Sequence, residues 1–139
     1  MNPKPLTSNI ELINLCRSYN IPLDAVLYKN QLVNYDSNKT KSFIIDLHDD
    51  KDKSTGHWTA LFKQNNQWFY FDPFGIIYPS IVKRFCNNKD IEYNTEQIQS
   101  FQSGYCGYYC FIFLYYMNQG KTLKFIQSLF NQFDNPQMP

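Results

Sequence analysis

A layered domain of the α/β or α+β class is predicted by three observations. Two apolar segments, HWTALFK and QWFYFD, are separated only by Gln64, Asn65 and Asn66 and read as a hairpin. Trp58, Ala60 and Phe62 alternate with Thr59 and Leu61, and Phe69 and Phe71 with Trp68 and Tyr70, so both faces are apolar, as in central strands covered on both sides. From Tyr105 to about Met117 the chain is apolar almost all round, which predicts a helix buried in the middle of the domain. The 139 residues, with 12 Phe, 11 Tyr and 2 Trp, suffice for one core and are too few for two comfortable ones, so residues 1–139 are expected to form a single domain.

In chain order, Ser8 with Glu11 three residues on fits a capping box, and Ile10, Ile13, Leu15, Cys16 and Tyr19 give a helical stripe ending before Pro22. A polar stretch leads into FIIDLH (43–48), an apolar run of strand length, and DDKDKSTG reads as an exposed loop. After the hairpin, DPFG is a turn, Pro79 opens a short helix through about Cys86, IEY is a candidate strand, and a loop runs from Asn94 to Gly104. The buried helix ends near Gly120, and Thr122 caps an amphipathic helix with Leu123, Phe125, Ile126, Leu129, Phe130 and Phe133 on its apolar face, ending before Pro136.

Net charge is +1 and the Lys and Arg residues are scattered, which argues against strong electrostatic capture of nucleic acid and leaves weak or assisted DNA binding open. The start, MNPKPLTSNIELI, has no basic segment followed by an apolar one, and the longest apolar run falls short of the about 20 residues that span a bilayer. A soluble, non-secreted protein is expected, with Cys16, Cys86, Cys106 and Cys110 reduced.

QSGYCGYYCF then raises the chemical question. Cys106 sits where a loop turns into the buried helix, so unpaired backbone N–H groups and the positive helix end favour a thiolate and can help hold an oxyanion. His57 begins one hairpin strand and Asp72 ends the other. Residues 15 apart stand directly opposite when the turn has an even number of residues, which would put imidazole and carboxylate side by side on one face. Asp72 would then fix the tautomer of His57 and stabilise the imidazolium. Cys110, four residues on, is expected to point into the core or to shield the site, and His48 to lie on the surface.

The order GHW, FDPFG, a Gln, then CGYYC resembles the adenovirus-type (adenain-like) maturation proteases, also found in virophages and Polinton-like elements and related in fold to proteases of ubiquitin-like proteins. The likeness covers roughly residues 8–118. It implies a small central mixed sheet with helices packed on it, the nucleophile at the N-terminus of a buried helix, and a fold of the α+β class. It implies His57 as base, Asp72 as the acidic member, Cys106 as nucleophile, and Gln99, seven positions before Cys106, in the oxyanion hole, with Gln102 as its competitor. Asp72 stands where adenovirus enzymes usually have Glu, as it does in the ubiquitin-like-protein proteases.

The function the resemblance implies is a cysteine endopeptidase that cuts viral capsid and other virion precursors at glycine-containing sites. The setting would be the virion and the infected cell interior, cytoplasm or nucleus. Trp58 would wall a narrow cleft that excludes side chains. A monomer without cofactor or metal is expected. The adenovirus enzymes use DNA and a disulfide-linked peptide as activators; Cys86 does not align closely with the linking cysteine and no basic patch stands out, which speaks against both. The alternatives are a deconjugating protease for ubiquitin-like proteins, identical in chemistry, and a non-catalytic virion binding protein. A zinc site from Cys106, Cys110 and His57 is disfavoured because the closely spaced cysteine pairs of structural zinc modules are absent.

Overall fold

The computed structural model describes residues 8–48, 57–98 and 105–134. Over these the chain forms α1 (Asn9–Ser18), β1 (Ala25–Tyr28), a short 3₁₀ helix (Lys29–Asn34), β2 (Ser42–Asp46), β3 (Trp58–Gln64), β4 (Gln67–Phe71), α2 (Ser80–Phe85), β5 (Ile91–Tyr93), α3 (Cys106–Met117) and α4 (Leu123–Asp134). The five strands make one mixed sheet in the order β1-β2-β3-β4-β5; the outer pairs are parallel and the inner two antiparallel. This is the α+β class expected from the sequence. The expected exposed loop DDKDKSTG lies outside the described residues.

Both faces of the sheet are covered, as the two-sided hairpin predicted. One carries Ile44, Ala60, Phe62 and Phe71 against Leu12 and Cys16 of α1, Cys110, Phe113, Leu114 and Met117 of α3, and Ile126 and Phe130 of α4. The other carries Phe43, Ile45, Leu61, Trp68 and Tyr70 against Leu32, Val82 and Cys86. Phe71 stacks on Phe113 at 5.2 Å and on Phe130 at 5.6 Å, locking β4, α3 and α4 together. Aromatic pairs of this kind add about 0.5–1.5 kcal/mol each beyond the area they bury.

Ser8 caps α1 as predicted: the Glu11 N–H donates to Ser8 Oγ at 3.1 Å, and that hydroxyl donates to the Glu11 carboxylate. The buried stripe differs from the expected one. Leu12 and Cys16, one helical turn apart, are the fully buried residues, while Ile10 and Tyr19 are 65% and 54% exposed. The reason lies in α3. A Cβ on Gly107 would stand 2.7 Å from Leu12 Cδ2, so the missing side chain there makes the space that Leu12 fills.

Helix α3 buries one stripe, Cys106, Gly107, Cys110, Phe113, Leu114 and Met117, and leaves its tyrosines half-buried, so it lines one face of the sheet and is not enclosed on all sides. Its tyrosines combine apolar rings with hydroxyls that can stay hydrated, which is why an apolar circumference did not mean full burial. The helix ends as expected: Gly120 takes φ +83, and the Gly120 and Lys121 N–H groups donate to Met117 and Tyr116 carbonyls. Thr122 Oγ1 accepts from the Phe125 N–H and caps α4, whose buried residues are Ile126 and Phe130, with Phe125 39% exposed.

The hairpin turn is Asn65–Asn66, both left-handed at φ 52 and 65, with Gln64 already paired to Gln67. Two left-handed residues match the twist of the strands they join. The turn is therefore even, as the shared-face expectation required, but it is centred one position later than direct opposition of His57 and Asp72 needs. Ala60 faces Phe71, so the next step of the ladder sets Thr59 against Asp72, and His57 lies one diagonal step beyond on the same face. Diagonal neighbours are about 7–8 Å apart at the backbone, within reach of long or aromatic side chains.

Candidate active site

The ends of β2, β3 and β4 lie along one edge of the sheet, where the first residue of α3 joins them. His57 precedes β3 and its carbonyl accepts from the Leu47 N–H beyond β2; Asp72 follows β4; Cys106 is the first residue of α3. Across the diagonal, His57 Nε2 lies 2.7 Å from Asp72 Oδ1. On its other side, His57 Nδ1 is 3.6 Å from Cys106 Sγ. A carboxylate only accepts, so Nε2 carries the proton toward Asp72 and Nδ1 is the atom that exchanges a proton with sulfur. Thus the structure brings together three of the four residues expected to act, from segments up to 49 positions apart. Gln99 and Gln102 lie outside the described residues.

The surroundings fix the imidazole. Phe74 packs against it with ring centroids 4.6 Å apart. The Phe74 N–H donates to the same Asp72 Oδ1 at 2.8 Å, so DPFG folds as a turn around its own aspartate. Asp72 is fully buried, and its Oδ2 has no hydrogen-bond partner among the described residues. Burial alone lowers the pKa of His57, but its hydrogen bonds to Asp72 and Cys106 and the electrostatic attraction of those two groups outweigh it and raise the value from 6.5 to about 9. The ring is accordingly an imidazolium at neutral pH.

The backbone of Asp72 is held by Asn94, which the sequence reading passed over as the start of a loop. The Asp72 N–H donates to Asn94 Oδ1 at 2.9 Å, and Asn94 Nδ2 donates to the Asp72 carbonyl at 2.7 Å. Phe74 was likewise missed. Its signal was available, since a residue two after an aspartate in an Asp-Pro turn is the usual donor back to that carboxylate.

Gly75 completes the junction. It takes φ +72, and a Cβ there would lie 2.7 Å from the Glu96 carbonyl carbon and 2.9 Å from the Gln97 nitrogen. The Ile98 N–H donates to the Pro73 carbonyl, so residues 94–98 are laid directly on the DPFG turn. Gly75→Ala is expected to cost about 2–4 kcal/mol, part from left-handed backbone and part from displaced loop, measured by urea unfolding. Wild-type stability in this variant would mean that the two segments do not touch as described.

The other thiols differ. Burial pushes Cys16 up to about 11 and Cys86 up to about 12, and Cys110 rises well above the ordinary range from burial and the nearby Cys106 and Asp72. Cys110 points into the core as expected. Cys86 belongs to the core on the opposite face of the sheet, fully buried. Cys106 is itself only 2% exposed.

Trp58 opens β3 beside His57, partly buried and paired across the strands with Asp46. His48 is less free than a surface residue: its ring Nδ1 and backbone N–H both bond Asp46 Oδ1, at 3.1 and 2.9 Å. Among the described residues no three His, Cys, Asp or Glu side chains form a group able to hold a metal, and no helix is long and apolar enough to cross a membrane.

No family model matches the sequence, and no curated protein matches it. Its architecture is similar to that of the ASFV pS273R protease, whose selenomethionine crystal structure superposes with a TM-score of 0.56 at 12% identity over 90% of this chain and 64% of that one. The chain therefore spans under two thirds of that protease, and what the two share is the fold, a mixed five-stranded sheet with packed helices.

Proposed function

We propose that the protein is a viral cysteine endopeptidase with Cys106 as nucleophile, His57 as acid and base, and Asp72 as the group that orients and charges His57. One observation carries the reading: the Cys106–His57–Asp72 relay at 3.6 and 2.7 Å, on a fold shared with a viral protease.

The chemistry follows from which ring nitrogen faces which partner. The proton shared between sulfur and Nδ1 resides on the ring, which leaves a thiolate beside an imidazolium that the Asp72 carboxylate stabilises through Nε2–H. The thiolate attacks a peptide carbonyl carbon and the carbonyl electrons move to oxygen. The N–H groups at the start of α3, together with Gln99, are proposed to receive that charge, each donor contributing about 2.7–4 kcal/mol. Collapse expels the amine, which takes the Nδ1 proton, and leaves a thioester. Water gives a proton back to Nδ1 as it attacks, and the thiolate leaves.

The proposed substrates are capsid and other virion precursors, cut at glycine-containing sites in a cleft walled by Trp58, in the virion or infected cell. The proposed enzyme acts as a monomer. The buried thiol of Cys86 favours no disulfide-linked activator. Co-expression with the capsid precursor is expected to yield processed product for wild type and none for Cys106→Ala. Equal processing by both would reject the nucleophile. Cleavage of a ubiquitin-like fusion in place of the capsid protein would move the substrate to the deconjugating class.

A further inference from the structure

Resting on the proposed reaction, one buried side chain outside it is placed to control it. Asn94 is 7% exposed, one residue past β5, and three hydrogen bonds of its side-chain amide are directed at the site's framework. Its Oδ1 accepts from Asp72 N–H, its Nδ2 donates to the Asp72 carbonyl, and the same Nδ2 donates to the Glu96 carbonyl at 3.3 Å. The pairing Tyr70 with Tyr93 is the last step of the parallel β4–β5 ladder. Beyond it the Asn94 amide supplies, from a side chain, the donor and acceptor that a further strand residue would offer.

We propose that Asn94 is a positioning residue: by clamping the Asp72 backbone in both directions it holds the Asp72 carboxylate on His57 Nε2 and joins it to the segment that leads to Cys106. Two contacts make that junction rigid. Gly75 lies against the Glu96–Gln97 backbone, and Ile98 bonds Pro73, so the asparagine sits at the centre of a stapled pair of segments. Among the described residues the carboxylate has no second backbone anchor besides the Phe74 N–H, because Oδ2 is unpartnered there. Freeing the Asp72 backbone therefore lets the carboxylate leave Nε2. The ionisable groups that face His57 are Asp72 and Cys106; Asp46 and His48, at the end of β2, bond each other.

The test follows His57 by the NMR titration of its imidazole nitrogens, and Cys106 by the rate of iodoacetamide alkylation between pH 5 and 10, in the full chain. Wild type is expected to titrate near pH 9. Asn94→Ala is expected to lower that midpoint by about one unit or more and to slow alkylation at pH 6 about tenfold, because burial then dominates the ring. Asn94→Asp keeps the acceptor for Asp72 N–H but cannot donate to the carbonyl, so it is expected to move in the same direction and serves if the alanine variant does not fold. Asn87→Ala is the stability control: it removes the bond to Ser37 Oγ at a residue with φ 57 just past α2, and is expected to lower Tm with His57 unmoved. An unchanged His57 midpoint in both Asn94 variants, with reduced Tm, would reduce Asn94 to a structural residue. A wild-type midpoint near 6.5 with alkylation no faster than a free thiol would instead overturn the proposed reaction itself.

Discussion

Iodoacetamide at one equivalent and pH 7 is expected to label Cys106 and none of the other three cysteines. Exposure alone gives no reason for this, since Cys16, Cys86 and Cys110 are 0% exposed and Cys106 only 2%. Proton affinity does. A thiol with a pKa of about 11, as at Cys16, is ionised in about one molecule in 10⁴ at neutral pH; burial pushes Cys86 higher still, to about 12, and holds Cys110 well above the ordinary thiol range. Cys106 has an imidazole nitrogen 3.6 Å away and the N–H groups of a helix start beneath it. Peptide mapping after labelling reads the result. Labelling spread over several cysteines, or none on Cys106, would leave the sulfur without an activating partner. His57→Ala is the paired control: it should slow labelling by about 10³-fold, the scale on which a thiolate outpaces its thiol.

How much of this was legible without coordinates depended on whether the deciding contact was local. The hairpin, DPFG and the helix from Cys106 could be read because alternation, turn residues and caps act over a few positions, and the order of His57, Asp72 and Cys106 along the chain survives folding. The register was half legible. Parity gave the shared face of His57 and Asp72, but the left-handed Asn65–Asn66 pair set the centre of the turn and made the contact diagonal. Strand β1 was missed because four residues, AVLY, carry too little pattern. It is fixed from a distance by Asp24, whose carboxylate accepts from the Lys41 and Ser42 N–H groups. The face of α1 was misread for a similar reason: Leu12 is buried by the absence of a side chain at Gly107, ninety-five positions away. Asn94 has the same character, since nothing near it in the chain reveals that a parallel strand ends at Asp72 beside it.

The second large effect is expected at Asp72, and it separates charge from geometry. Asp72→Ala removes the acceptor at His57 Nε2 and should lower kcat/KM by about 10³–10⁴-fold, as when the orienting acid of a catalytic triad is lost. Asp72→Asn keeps an oxygen that can accept from both His57 Nε2–H and Phe74 N–H, so the ring stays aimed, and a smaller loss than in the alanine variant is expected. Its new amide N–H group would take the place of Oδ2, which has no partner among the described residues, at a stability cost of about 1–3 kcal/mol. The pH profile gives the sharper reading. In wild type the imidazolium is present below about pH 9 and is lost above it, so activity should fall on the alkaline side near that value. With the negative charge gone, the attraction that had outweighed burial is weakened, and the alkaline limb should move downward toward 6.5 in the asparagine variant. Equal activity of the alanine and asparagine variants would show that ring orientation is not what Asp72 supplies, and an alkaline limb that stays near 9 in both would show that its charge is not felt at His57.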